Sequence, residues 1–433
     1  MKKIVNERYQ ETRFEETLEN GLHVILWQKK DYVKSMFMMV TPLGAMDMKQ
    51  VDENGKEYHF PAGIAHFLEH KMFEMKDGDV MDAFSTMGAN VNAFTSYTET
   101  AYYFTTSNAI EEPLKLLLDF VQELAIDEES VEKEKGIIIQ ELHMYKQMSD
   151  SRLLMETYAS LYKNHPLRYD IGGDDDSVQS ITLEQLEECY RINYHPSNMV
   201  LVGVCSEDPE NIMKIIRENQ SGKKFPKMAG IKRLEFDESE KPARETYTFS
   251  MDVTLPKVSI AYKLDGVEDV SQRMKEEWCI RILLDAYFSS LYPDFQTWLD
   301  DKIFNDYVGC EVDLGKDYGM IMFYAETLKQ EKFKEIVQDT LKRMESGDID
   351  KKVLQQLKRR YFGQAIRSLN SFDDIVITSA RCYFDKTDFF SSMDILDAID
   401  EKDIKDAANK LKQGHCSIVT LSLIHISEPT RPY

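Results

Sequence analysis

Short apolar runs punctuate the first half of the chain at lengths that suit strands better than helices. Leu22 to Trp27 and Met36 to Val40 are such runs, and a strand pair is expected across Val91 to Thr105 with its turn near Thr98-Glu99. Helical periodicity takes over at Ile110 to Leu124, Asp127 to Met148, Leu153 to Tyr162 and Leu183 to Ile192, before an apolar strand from Met199 to Val204. The stretch from Ser221 to Pro226, continued by a charged run to Pro242, breaks both periods and reads as a linker. The order then returns. Strands at Tyr247 to Val253 and Val258 to Lys263 precede a helix at Glu276 to Tyr287. A strand pair from Val308 to Glu326 and helices at Phe333 to Met344 and Lys352 to Ser368 follow. Ser417 to Thr420 looks like a final strand.

Composition sets wide bounds. A chain of 433 residues with 42% hydrophobic content can bury a large core and is expected to hold at least two domains. Its net charge of -23 argues against nucleic acid and anionic membrane surfaces as partners. Met1-Lys2-Lys3 leads into no apolar segment, and no run approaches the length of a membrane span, so a soluble, cytoplasmic protein is expected. The six cysteines, at 189, 205, 279, 310, 382 and 416, include no close pair, and reduced thiols are the default expectation.

One motif changes the picture. His66-Phe67-Leu68-Glu69-His70 places two imidazoles four residues apart, hence on one helical face, with Glu69 beside them. This is the inverted form of the metallopeptidase zinc motif. Ile64, Ala65, Phe67, Leu68 and Phe73 surround the polar trio with apolar neighbours, which is costly for His and Glu unless something coordinates them. Hydrolytic zinc takes three protein ligands, so a third is expected elsewhere. Glu134 and Glu141 are seven apart on one face of a helix, with Ile137, Ile138 and Leu142 as apolar surround and Glu132, Lys133 and Lys135 on a solvent face. His143 is a rival ligand that spacing does not exclude.

Together, His66-x-x-Glu69-His70 and the Glu134/Glu141 pair resemble the insulinase/pitrilysin family of zinc metallopeptidases. Asn20-Gly21-Leu22, Gly88 to Thr95, Thr100-x-Tyr102 and Tyr194 to Met199 agree with it, so the resemblance spans nearly the whole chain. It implies that Zn2+ is held by His66, His70 and Glu141, that Glu134 orients a ligand, and that Glu69 is the general base. It also implies that Asn92, Ala93 and Phe94 belong to an edge strand that pairs with substrate backbone, although plain sheet structure is the commoner task of such a segment. The activity implied is zinc-dependent endopeptidase cleavage of extended peptides or unfolded segments. The alternative is a metal-binding, peptide-binding subunit that does not cleave.

The fold implied is α+β, with two homologous domains, each an antiparallel-rich sheet packed against helices. The expected boundaries are a zinc-binding domain at 1–221, a linker at 222–244 and a homologous domain at 245–420. Residues 421–433 resemble a translated sequencing adapter and are expected to be a non-native tail. Val131 aligns roughly with Val353, which sets Gln356 opposite Glu134 and Gly363 opposite Glu141, while Leu283 to Tyr287 is the rough counterpart of the motif. The second half therefore lacks metal ligands. Active members carry there an Arg followed seven positions later by a Tyr; Tyr307 fits, but Asp300 stands where the Arg is expected. A homologous partner subunit, in a heterodimer or a homodimer, is expected to complete the site.

Overall fold

The computed structural model describes residues 1–75, 78–411 and 415–424. The chain forms two compact units, and neither is a continuous stretch. The first comprises Met1–His143, Tyr169–Glu235 and Ile366–Phe389; the second comprises Met144–Arg168, Phe236–Ala365 and Phe390–Tyr433.

A seven-stranded sheet carries the first unit. Its strands run in the spatial order Lys2–Asn6, Glu11–Thr17, His23–Gln28, Val200–Cys205, Ser35–Thr41, Thr100–Thr106, Ala89–Thr95. All neighbours are antiparallel except Val200–Cys205 against His23–Gln28. Ser35–Thr41 and Val200–Cys205 are buried at every residue, so these central strands appear in the sequence as unbroken apolar runs. The second unit has a five-stranded sheet in the order Thr246–Met251, His415–Leu423, Lys257–Leu264, Gly319–Glu326, Val308–Leu314. Numbered by chain position, the last five strands of the first sheet and the five of the second share the order 1-5-2-4-3. In both, the one parallel pair joins the first strand to the last. The two units are copies of one topology, as expected.

The boundaries differ from those expected at 1–221 and 245–420, because each sheet takes a helix from the other half of the sequence. Helix Ser149–Leu161 packs on His415–Leu423 and Lys257–Leu264 in the second unit. Helix Phe372–Phe384 packs on Val200–Cys205 and Ser35–Thr41 in the first. Ser35–Thr41 and Val200–Cys205 are buried at every residue and need cover on two faces, whereas Ser149–Leu161 sets Leu153 against Val419 and Leu421, on the buried face of His415–Leu423. The expected linker at 222–244 is also structured. Ile231–Arg233 pairs with Lys49–Asp52, and Arg233 binds the buried Asp47 at 2.8 Å. Glu238 then accepts from the amides of Lys163, Asn164 and His165 in the second unit. Strand His415–Leu423 continues three residues into the segment expected to be a tail, and Leu421 is fully buried there. Residues 425–433 lie outside the described residues.

Each unit has its own core. In the first, Phe67 and Leu68 of the motif helix pack with Leu26, Phe37, Met39, Tyr102 and Phe104 of the sheet. In the second, Ile260, Ile321 and Phe323 pack with Leu283, Phe333 and Leu357. All six cysteines are free thiols. Among the described residues, no helix is long and apolar enough to cross a membrane.

Candidate metal centre

The motif lies on helix Ile64–Met72, whose start is set by Gly63. Gly63 has φ +87°, a conformation that side chains disfavour, and a Cβ there would sit 2.3 Å from the Gly172 carbonyl oxygen. From that start, Ile64, Ala65, Phe67 and Leu68 turn into the core, leaving His66, Glu69 and His70 on the other side of the helix. Helix Glu128–Gln147 faces them. Val131, Lys135, Ile138 and Leu142 form its buried stripe, and Glu134 and Glu141 lie at the rim. Two expectations fail for this reason. Lys135 falls within the stripe, 7% exposed and paired with Glu132 at 2.5 Å, while Ile137 falls beyond the rim and is 45% exposed.

The candidate ligands converge. One donor atom each from His66, His70 and Glu141 lies within 4.8 Å of the other two. His70 Nε2 is 3.2 Å and His66 Nε2 3.8 Å from Glu141 Oε2. Ligand atoms about 2.0–2.1 Å from a tetrahedral zinc are about 3.4 Å apart, so these separations and this donor set fit zinc. The other nitrogen of His70, Nδ1, is 3.0 Å from Glu134 Oε1, so Glu134 stands behind a ligand and selects its tautomer. His66 Nδ1 is buried and has no hydrogen-bond partner among the described residues. His143 is not part of the cluster: half exposed, it pairs with Asp175 at 2.7 Å.

Electrostatics separate the two imidazoles. Burial, reinforced by the charge of His70, lowers His66 to about 4, so it is a neutral donor at pH 7. Burial also opposes a charge on His70, but hydrogen bonds to Glu134 and Glu141 outweigh it and raise His70 to about 9. Glu134 and Glu141 flank His70 on its two ring nitrogens, at 3.0 and 3.2 Å. Both are correspondingly lowered, first of all by their bonds to His70. Glu69 shifts the other way, because burial raises it more than its bond from Thr95 lowers it. A carboxylate with a raised pKa beside a metal position is suited to taking and returning a proton.

Asn92, Ala93 and Phe94 lie on Ala89–Thr95, the edge strand, which pairs with Thr100–Thr106 on one side and with no strand on the other among the described residues. Thr95, its last residue, donates to Glu69 Oε2 at 2.6 Å. The sequence reading passed over Thr95 as a site residue, although it shares a face with Ala93 by strand alternation. It also passed over Lys71, a lone cation in the apolar run after the motif, and over Gly172, whose loop closes on His66. Tyr307 belongs to the second unit. Lys257 Nζ lies 4.1 Å over its ring, and burial, with a hydrogen bond to Asp150, raises its hydroxyl. Asp300 ends helix Phe295–Asp300, is exposed, and accepts from Gln296 at 2.9 Å.

A duplicated α+β fold in which two His, a Glu and a second, half-buried Glu meet at one site has the donor set of a metallopeptidase, and similarity to known proteins gives the family. The insulinase (peptidase family M16) model matches residues 56–175, and the peptidase M16 inactive domain model matches residues 180–361. The uncharacterised zinc protease YmfH of Bacillus subtilis is 34% identical, over 94% of this chain and 95% of its own length. The crystal structure of an M16-like peptidase from Alicyclobacillus acidocaldarius is 32% identical, with a TM-score of 0.90 over 95% of this chain and 98% of that one. A mitochondrial-processing peptidase subunit beta of Schizosaccharomyces pombe is 29% identical over 46% of this chain and 43% of its own. The chain belongs to the insulinase family of peptidases, M16.

Proposed function

We propose that this chain is a zinc-dependent endopeptidase that cleaves extended peptides or unfolded polypeptide segments. The observation that carries the reading is the convergence of His66, His70 and Glu141 on one point, with the half-buried Glu69 beside them. The zinc protease relatives support it. A bound zinc ion supplies Lewis-acid activation of water and of the scissile carbonyl. Glu69, aimed by Thr95, takes a proton from the attacking water and returns it to the leaving amine. Glu134 holds His70 with Nε2 free to ligate. The open side of Ala89–Thr95 receives substrate as an added strand, with main-chain bonds beside Asn92, Ala93 and Phe94 supplying affinity. Tyr307 is proposed as a catalytic residue on the family resemblance alone.

Asp300 favours a second reading, in which the chain binds zinc and peptide but does not cleave unaided. A homologous partner subunit then supplies the cation, or a second copy of this chain completes the assembly. The naming of one relative as a subunit of a processing peptidase supports that alternative. The discriminating experiment incubates the purified chain and Glu69→Gln with equimolar zinc and quenched unstructured peptides. Turnover in the parent alone supports the endopeptidase. Tight zinc without turnover supports the dependent subunit, and a parent that takes up no zinc refutes both.

A further inference from the structure

Lys71 follows the last His of the motif and is 3% exposed, so its ammonium is almost wholly out of water. A buried charge of this kind persists only where acceptors enclose it. Lys71 Nζ contacts the Glu74 carboxylate, donates to the Ser130 carbonyl at 3.3 Å and lies 3.6 Å from Glu134 Oε2. Both oxygens of Glu134 are therefore engaged, Oε1 by His70 Nδ1 at 3.0 Å and Oε2 by Lys71.

We infer that Lys71 is a positioning residue for the metal centre, pinning Glu134 so that His70 presents Nε2 toward Glu141 and His66. The inference rests on the zinc reading above. A carboxylate tied by one oxygen alone can rotate about its side-chain bonds; a cation on the second oxygen removes that freedom and fixes the imidazole it supports. Lys71 also places one positive charge 3.6 Å from Glu134 Oε2, on the side of that carboxylate away from His70's bond to Oε1. Service to Glu74 does not account for its burial. The Glu74 side chain is 40% exposed and has water available, whereas Glu134 is 16% exposed.

The test measures zinc affinity of the full chain by competition with a chromophoric chelator, for the parent, Lys71→Met, Glu134→Gln and the double variant. Lys71→Met is expected to weaken zinc binding about 10- to 100-fold. Because Lys71 acts through Glu134, the double variant is expected to bind no more weakly than Glu134→Gln alone. Lys71→Arg, which keeps the charge, is expected to recover most of the affinity, and Glu74→Gln to leave it unchanged. If Lys71→Met does not fold, Lys71→Gln replaces it. Zinc affinity within twofold of the parent in Lys71→Met, or losses that multiply in the double variant, overturns the role. A parent chain that binds no zinc overturns the zinc reading and this inference with it, whereas a tight-binding parent with an indifferent Lys71→Met overturns this inference alone.

Discussion

Thr95 Oγ1 donates to Glu69 Oε2 at 2.6 Å, which ties the last residue of the edge strand to the half-buried carboxylate of the motif helix. One bond thus couples the segment proposed to hold substrate to the group proposed to move the proton. Thr95→Val keeps the shape and deletes the bond. Bonds to charged groups contribute about 1.5–3 kcal/mol, so kcat is expected to fall roughly 10- to 100-fold with bound zinc unchanged. Steady-state kinetics alongside metal analysis checks this, and an unaltered kcat would show that Glu69 is aimed by something else.

Gly63 is a second point where a small change reaches the site. A methyl group there meets both a positive φ and the Gly172 carbonyl, so either the helix start or the loop over His66 must move. Gly63→Ala is expected to cost about 2 kcal/mol or more and to weaken zinc binding with it. Chemical denaturation read against zinc titration tests the coupling: a variant that loses stability while holding zinc as tightly as the parent contradicts it.

How much of this was legible in the sequence depends on whether the signal was local. Helical spacing placed His66 with His70 and Glu134 with Glu141, and unbroken apolar runs marked the central strands. The pairing of the two helices rested on resemblance, because nothing in either segment encodes the 3.0 Å contact between His70 and Glu134. Ile137 was misread because a helical face is an arc: Ile138 lies inside it and Ile137 just outside. The exchange of Ser149–Leu161 and Phe372–Phe384 between units left no local trace, since an amphipathic helix has the same pattern whichever sheet it covers. The segment at 222–244 has the composition of a linker, yet Arg233 fastens it to Asp47 and Glu238 to the amides of Lys163, Asn164 and His165, partners far off in the sequence that no local pattern announces.

Glu238 gives the stability a pH dependence. Burial opposes its ionisation, but the Lys163 amide, the Lys263 ammonium and the amides of Asn164 and His165 outweigh it and hold the carboxyl down to about 2, against 4.5 for a free group. Its folded pKa lies below its unfolded one, so the stabilisation is complete above about 4.5 and is lost as pH falls from there toward about 2. Glu238→Ala removes the counter-ion of Lys263, which is 8% exposed and keeps the Leu161 and Ser239 carbonyls as acceptors, and is expected to cost about 3 kcal/mol near neutrality. Glu238→Gln keeps an acceptor for the amides and is expected to flatten the acid dependence. Urea midpoints from pH 7 to pH 3 decide it: parallel curves for parent and Glu238→Gln would remove Glu238 from the account.

The helix drawn from the second half of the sequence bears on whether the metal-binding half folds alone. Trp27 is 1% exposed; its indole donates to Ser379 Oγ at 3.0 Å and packs against Phe389 at a centroid distance of 4.7 Å. On the same helix, Phe372, Ile375 and Val376 are buried. Three such side chains at about 2 kcal/mol each amount to about 6 kcal/mol, comparable with the whole stability of a domain. A fragment of residues 1–235 is therefore expected not to reach the native state, although it holds all five residues of the metal centre. Trp27 is its one tryptophan and reports directly: red-shifted emission, binding of a hydrophobic dye and no tight zinc are expected. Adding residues 366–389 as a separate peptide is expected to shift the emission blue and restore zinc uptake. A fragment that unfolds cooperatively with a shielded Trp27 and no added peptide would show that the exchanged helix is dispensable.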